Sequence, residues 1–517
     1  MCDGYTSSAI LINFLDKVYP EWTKDHLSFA HHIGKVHGLE DMMESIVKGN
    51  YKLVICPDGG SADIDCHNIL RDCGIDVVVL DHHPAPFEEI KERSPAIVVN
   101  VQGCEYPNKY LSGAGVVQRF IEGYNELYCG GKINTDYWLD LAALGNAADM
   151  MDYREFETRA LINLGFAEIH NPFIKALKEK NAYIIEKRNG MNYLSSSFGI
   201  SPFINAITRS AEPEEKEFVF NAMLDRNADK MAASTKRGHK GELVPFSEEA
   251  VLVADRVKRR QADFQAQAME LLEQKMEEEH LNDNAVLIFF CEKGQIPPSI
   301  AGLACNLVQA KYQKPALVLN YHSDEDAYIG SGRNYSLSPL QDFKTALEET
   351  GEVEWAAGHS GAFGTEVKAS KAQKLIEALN KRYADIDQTP VYWVDYIWDS
   401  ITIDPKTILD IGSMNIFGQG VQESKVAVEK IPLSESNVIL MSRDKNPTLK
   451  IKCGDVDIIK FHSSEKEFND FISGNKTLTV VGKPSANEWQ GNISAQILAD
   501  DFILEDVEEH ELSWEDF

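Results

Sequence analysis

The first part of the chain alternates short apolar runs with segments whose apolar residues recur at helical spacing. Ser7–Val18 has that helical spacing. Lys52–Ile55 is a short apolar run ending in Cys56-Pro57-Asp58-Gly59-Gly60, Val77–Leu80 ends in Asp81-His82-His83, and Ala96–Val99 is a third run. Strands separated by helices predict a parallel α/β sheet over residues 1–165, with polar residues just past the carboxyl ends of the strands, where open α/β sheets place their ligands. Residues 166–285 read as mostly helical. Within them Glu248–Glu279 has neither Pro nor Gly, which predicts one long helix connecting two lobes. Residues 286–385 return to an α/β pattern, with strands expected over Ala285–Phe290 and Pro315–Asn320 and a helix over Ser299–Lys311. From 386 to 508 the pattern changes to short alternating strands such as Thr448–Lys452 and Thr477–Val481, predicting a small β-barrel. Residues 509–517 end an acidic stretch that begins at Glu505 and is expected to be solvated.

The 517 residues are enough for three or four domains, each burying its own core. No apolar run is long enough to cross a membrane, and Met1-Cys2-Asp3-Gly4 lacks the basic and apolar regions of a secretion signal. Nine scattered cysteines contain no CxxC pair and fit a reducing cytoplasm. The net charge of −30 argues against wrapping duplex DNA, which needs a broad basic surface. It leaves room for a narrow channel lined by local Lys and Arg, with divalent cations adding positive charge.

Three acidic positions stand out. In Asp81-His82-His83, directly after an apolar strand, a carboxylate and an imidazole suit a divalent metal and a second imidazole suits a phosphate, although the tripeptide alone is a weak signal. Asp58 sits beside two glycines that allow a ligand close to the backbone, but Pro-Asp-Gly is also a common turn. Asp149 lies among small and apolar residues, Leu144–Met151, where a carboxylate needs a partner or a metal, or else caps a helix. His31-His32 has no preceding carboxylate and is expected to pack or to face solvent.

Taken in order, these stretches resemble the motifs of the DHH phosphoesterases, and within them the RecJ type. Asn100, Tyr106-Pro107 and Leu111-Ser112-Gly113-Ala114-Gly115-Val116 are similar to RecJ stretches. So is Gly199–Arg209, with Ser201 and Thr208 where glycines are usual. Ser331-Gly332-Arg333 and Gly358-His359-Ser360-Gly361-Ala362-Phe363-Gly364 resemble the DHH-associated (DHHA1) domain, with Ala357 in place of a glycine. Ile296-Pro297-Pro298 departs from the usual His-Pro-Gly. Phe417-Gly418-Gln419-Gly420 and Asn487-Glu488-Trp489-Gln490-Gly491 resemble stretches around the RecJ OB-fold, in which Trp489 is expected to be a core residue rather than a base-stacking one.

The resemblance implies two α/β lobes (DHH and DHHA1) joined by a long helix, plus a C-terminal OB-like barrel. It implies a 5′→3′ exonuclease hydrolysing the phosphodiester bonds of single-stranded DNA with Mn²⁺ or Mg²⁺, in repair and recombination. Asp58 would bridge two metals, with His82 and Asp149 as ligands. His83 would face the scissile phosphate, and Asp81 would orient the adjacent imidazole. Substrate contacts would come from Arg333, His359, Gly332, Gly358, Asn205 and Arg209. The family's first motif, Asp-x-Asp-x-Asp-Gly, matches here only at Asp3-Gly4, with the second aspartate falling at Met1. A truncated or mis-started chain with an incomplete metal site is therefore expected. Two other readings stay open: a DHH phosphodiesterase of short oligonucleotides or cyclic dinucleotides, and an inactive RecJ-like scaffold. Retention of Asp58, His82, His83 and Asp149 argues against the scaffold. The terminal Ser513-Trp514-Glu515-Asp516-Phe517 resembles acidic protein-docking tails and suggests a replication or repair partner.

Overall fold

The computed structural model describes residues 1–32, 38–335, 337–340, 342–387, 391–441 and 447–507. The acidic tail expected at 509–517 lies outside the described residues. The chain divides into two compact units, Met1–Val391 and Tyr392–Phe517, so the first three predicted segments share one unit.

Three parallel strands form the first sheet: β1 (Leu53–Pro57), β2 (Asp76–Asp81) and β3 (Ile97–Asn100), in the order β1-β2-β3. The β-branched run of β2 buries Val77 and Val79 at the centre of this sheet, and Leu80 follows them into the core. All three carboxyl ends point the same way, so Asp58, Asp81 and Asn100 meet along one edge, with Asp81 and Asn100 paired in register. The helix Cys2–Val18 packs against the helices Gly113–Tyr128 and Leu139–Ala148. Its fully buried Asn13 donates to the Met223 carbonyl at 3.1 Å and accepts from the Asp225 amide at 2.9 Å.

Between the lobes lies the 33-residue helix Phe246–Glu278. Val253, Ala254 and Val257 are buried in its first half; Ala268, Leu272 and Met276 join the core of the second lobe. The connector expected over 248–279 is therefore present. The segment before it is less purely helical than the sequence implied, because β4 (Met231–Ala233) and β5 (Leu243–Pro245) form a small antiparallel hairpin.

The second lobe has five strands where two were expected: β6 (Leu287–Cys291), β7 (Ala316–His322), β8 (Ala327–Arg333), β9 (Trp355–His359) and β10 (Ala362–Lys368). Their order is β6-β7-β8-β10-β9, parallel only between β6 and β7. Ser331-Gly332-Arg333 ends β8, and the glycine-rich stretch after Ala357 forms the β9–β10 hairpin.

The second unit holds β11 (Tyr396–Asp399), β12 (Val426–Pro432), β13 (Val438–Met441), β14 (Thr448–Cys453), β15 (Val456–Lys460), β16 (Lys476–Trp489) and β17 (Asn492–Asp506). They form one sheet, ordered β11-β12-β16-β17-β15-β14-β13, over a core that includes Val428, Ile451, Ile458, Val480 and Ile497. Two features differ from expectation. β16 and β17 are not short: they run 14 and 15 residues as one long hairpin. Trp489 is not a core residue. It sits at the tip of that hairpin, 70 % exposed, because the pair extends past the packed part of the sheet before turning at Gln490-Gly491.

Candidate metal centre and the cleft beside it

Asp58 leaves β1 with φ 61°, a left-handed conformation that a non-glycine residue adopts at a cost of about 1–3 kcal/mol. The Asp58 amide still donates to the Leu80 carbonyl at 2.8 Å, so the strained residue is held by the sheet itself. Beside it, Gly113 opens the helix Gly113–Tyr128. A Cβ there would meet Asp58 Cβ at 2.6 Å and Asp58 Cα at 2.9 Å, so only glycine fits.

His82 follows β2 and brings its ring into this corner. His82 Nε2 lies 3.3 Å from Asp58 Oδ1, 3.4 Å from Asp149 Oδ2 and 3.8 Å from Asp3 Oδ2. Asp149 is at the C-terminal end of the helix Leu139–Ala148, half-buried, so its predicted helix-end role and its place in the cluster coexist. Burial and the Asp3 charge push Asp58 up to about 8, and the same causes push Asp149 up to about 6. Burial disfavours the His82 imidazolium, but the nearby Asp58, Asp3 and Asp149 outweigh it and raise His82 to about 9.

Asp81, buried at the end of β2, organises the next layer. Its Oδ1 accepts the His82 and His83 amides at 2.7 and 3.2 Å and approaches His83 Nδ1 at 2.7 Å; its Oδ2 accepts from the Ser61 amide at 3.3 Å. Asn100 donates to Ser61 Oγ and to the His83 carbonyl, both at 2.9 Å. Burial opposes ionisation of Asp81, yet the His83 and Ser61 hydrogen bonds hold it well below the usual carboxylate range; in return, the bond to Asp81 raises His83.

Asp58 Oδ1 and His82 Nε2 are buried and make no hydrogen bond in this arrangement. Buried polar atoms without hydrogen bonds are costly, and two of them 3.3 Å apart, beside the carboxylates of Asp3 and Asp149, have the chemistry of a divalent-cation site. The candidate ligand atoms fall into two overlapping groups, Asp58–His82–His83 and Asp3–His82–Asp149, each within 4.8 Å. The residues present fit a hard divalent ion.

A cavity of about 1150 Å³ runs from Asp58 and Gly59 to the second lobe. Arg209 and Arg333 line it, and among the described residues no carboxylate pairs with either. Burial lowers Arg209, and the nearby Arg333 charge lowers it further. Gly302, on the helix Pro298–Tyr312, makes room for this arrangement: a Cβ there would meet an Arg333 guanidinium nitrogen at 2.9 Å.

A model of the DHH family, N-terminal domain, matches residues 2–146, and a model of the RecJ OB domain matches residues 394–501. Over 502 residues the chain is 32 % identical to a candidate single-strand DNA-specific exonuclease, YorK, derived from the SPbeta prophage of Bacillus subtilis strain 168, covering 96 % of this chain and 84 % of that protein. The chain belongs to the RecJ-like family. RecJ of Bacillus subtilis, a single-stranded-DNA-specific exonuclease, is 24 % identical over 531 residues, covering 99 % of this chain and 62 % of that protein. The crystal structure of RecJ with Mn²⁺ from Thermus thermophilus shares the fold, with a TM-score of 0.70 at 19 % identity over 97 % of this chain and 67 % of that one.

In this RecJ-like chain the expected site residues divide by location. Asp58, His82, His83, Asp81 and Asp149 converge at one corner. Arg209 and Arg333 face the cavity. Asn205 does not line it: Asn205 Oδ1 accepts the Cys2 amide at 3.1 Å and ties two helices together. Gly332 is buried under the Phe363 ring, which a Cβ would meet at 2.5 Å. Gly358 and His359 are exposed at the end of β9 and lie outside the cavity, although His359, Ala362 and Arg333 share one row across β9, β10 and β8. His31 packs against Tyr5, Phe29 and Phe220, as a packing histidine should.

Sequence reasoning did not count Asp3 among the site residues. Asp3 Oδ2 accepts the Gly113 amide at 2.6 Å and Oδ1 the Ala114 amide at 3.0 Å, so a buried carboxylate caps the helix Gly113–Tyr128 while facing His82. The Asp-Gly step was the available signal. The Gly113 and Ala114 amides that Asp3 caps, 110 and 111 positions away, were not.

Proposed function

We propose that this chain is a divalent-metal-dependent exonuclease of single-stranded DNA, degrading from the 5′ end as its resemblance to RecJ implies. The observation that carries the reading is the juxtaposition of two buried ligand atoms without hydrogen bonds, on Asp58 and His82, with a cavity lined by two arginines that pair with no carboxylate among the described residues. Asp58, His82 and Asp149 would hold Mn²⁺ or Mg²⁺, the ions found with the Thermus RecJ structures. A divalent ion there supplies Lewis acidity toward phosphoryl oxygens and activates water for attack.

The chain's own groups do the remaining work. Asp81 fixes the orientation of His83 and the nitrogen that carries its proton, placing a half-exposed imidazole beside the cluster. Arg209 and Arg333 bind backbone phosphates, for which a fork of charged donors is suited. The exposed His359 and the β9–β10 glycines would meet the strand further along. Asn205 would act by holding the Cys2 end of the first helix. Residues 286–385 then serve as the substrate-binding lobe and 386–508 as the OB-like module. Nine unpaired cysteines suit a reducing cytoplasm, and among the described residues no helix is long and apolar enough to cross a membrane. The acidic terminus at 509–517 is a candidate docking tail for a replication or repair protein.

The test is degradation of end-labelled single strands with Mn²⁺. Progressive release from the 5′ end, absent on blunt duplex, is expected. Hydrolysis of dinucleotides without attack on longer strands would favour the oligonucleotide phosphodiesterase reading, and metal binding without hydrolysis of either would favour the scaffold.

A further inference from the structure

Residues 230–241 contain Lys230, Lys236, Arg237, Lys240 and His239, and no Asp or Glu, in a chain carrying 81 acidic residues against 51 basic ones. Lys236, Arg237 and Lys240 cluster at the tip of the β4–β5 hairpin, and all three are exposed. The hairpin is firmly held. The Ser234 amide donates to the Glu242 carbonyl and the Gly241 amide to the Ser234 carbonyl, both at 2.8 Å, and the His239 amide closes onto the Lys236 carbonyl at 3.0 Å. The loop beside the tip is anchored by Glu249, only 2 % exposed, which accepts from the Thr235 amide at 3.0 Å and the Thr235 hydroxyl at 2.5 Å. Arg256 also donates to Thr235 Oγ1. The nearby carboxylates are thus engaged, Glu249 by Thr235 and Glu242 by His239. Among the described residues no carboxylate pairs with Lys236, Arg237 or Lys240.

The hairpin also has a fixed relation to the cleft. Phe246, just after β5, packs on Phe218 with ring centroids 4.6 Å apart, and Phe218 belongs to the helix Pro213–Asn221. Lys216 and Phe220 of that helix line the cavity. One helix therefore separates the cleft from the hairpin.

We propose that the tip Lys236–Lys240 is a second contact for the polynucleotide, taking phosphates of the strand outside the cleft. The proposal rests on the single-strand reading of the site. Two features favour a polyanion over an acidic protein. Repeated phosphates match closely spaced cations without specific pairing. Ser234–Glu242 also offers no aromatic or aliphatic anchor of the kind that dominates protein–protein binding.

The test is fluorescence anisotropy of labelled oligothymidylates without divalent metal, comparing the full chain with its Lys236→Ser/Arg237→Ser/Lys240→Ser variant. On a strand of about 40 nucleotides, well beyond the roughly 4–16 that one module typically covers, the variant should bind roughly tenfold more weakly at low salt. The slope of log affinity against log salt should become shallower by about 2, as expected for three lost phosphate contacts. A strand of about 6 nucleotides should bind both proteins equally. Lys236→Arg/Lys240→Arg should retain long-strand binding. Unchanged affinity and salt slope on the long strand would overturn the proposal, as would a variant that keeps the long strand but loses binding to polyglutamate. Failure of the unmodified chain to bind either strand would instead sink the single-strand reading itself.

Discussion

Asp58 Oδ1 lies 3.3 Å from His82 Nε2, and neither buried atom makes a hydrogen bond. Burial and the Asp3 charge raise Asp58 to about 8, and, against burial, the surrounding carboxylates raise His82 to about 9, so at neutral pH the metal-free pair holds at least one proton that an ion must displace. A metal needs the ionised carboxylate and the neutral imidazole, so binding must expel protons. Mn²⁺ titrated calorimetrically at about pH 7 in buffers of different ionisation enthalpy should release between one and two protons per site. Apparent affinity should rise with pH and level off above about pH 9, since protons compete only below the two raised values. Binding that is independent of pH and releases no proton would place the metal elsewhere.

Asp81→Asn removes the charge that faces His83 while leaving Asp58 and His82 in place. Metal affinity or turnover should fall about 10–100-fold, the usual cost of losing a group that orients ligands. Because the bond to Asp81 raises His83, the His83 ring should titrate at lower pH in the variant, which NMR can follow.

Gly113→Ala forces a Cβ to within 2.6 Å of Asp58 Cβ. The expected cost is about 1–3 kcal/mol of stability, measured by denaturant unfolding, with loss of metal affinity. Gly123→Ala is the control on the same helix, because its Cβ would meet nothing within 4 Å. That change should stabilise by about 0.5–1 kcal/mol through helix propensity.

Arg333→Ala should raise KM on short single strands about tenfold to a hundredfold, from the loss of a charge-assisted phosphate contact worth about 1.5–3 kcal/mol. Stability should change by no more than about 0.5 kcal/mol, since removing one of two neighbouring cations also relieves Arg209. Unchanged KM would reduce Arg333 to a strand-end residue.

Trp489→Ala separates an exposed hairpin tip from a core position. At 70 % exposure the change should stay within about 0.5 kcal/mol, whereas a buried Trp would cost about 3–5. Thermal unfolding of the variant decides between them.

Much of the first lobe was readable without a structure because its signals are local. An apolar β-branched run makes Val77–Leu80 a buried strand wherever it lies in the sheet, and the polar residues after it must then emerge at a strand end. The long connector was equally legible, since an unbroken stretch of helix formers has one good solution. The tripeptide Asp81-His82-His83 was local too, but alone it was a weak signal and became readable only beside the other motifs in order.

Tertiary structure alone decided which groups meet. Asp3 finds the Gly113 amide 110 positions away, and Cys2 finds Asn205 203 positions away; no periodicity encodes such pairs. The packing of Gly332 under Phe363, the exposure of His359 and the projection of Trp489 follow from how strands register and how far a hairpin outruns its core. The sequence by itself determined the strands and helices of the first lobe, the long connector and the residue types at the strand ends. Only long-range packing determined which carboxylates share a corner, because burial, strain at Asp58 and the raised proton affinities of the cluster exist only once distant segments have excluded water from it.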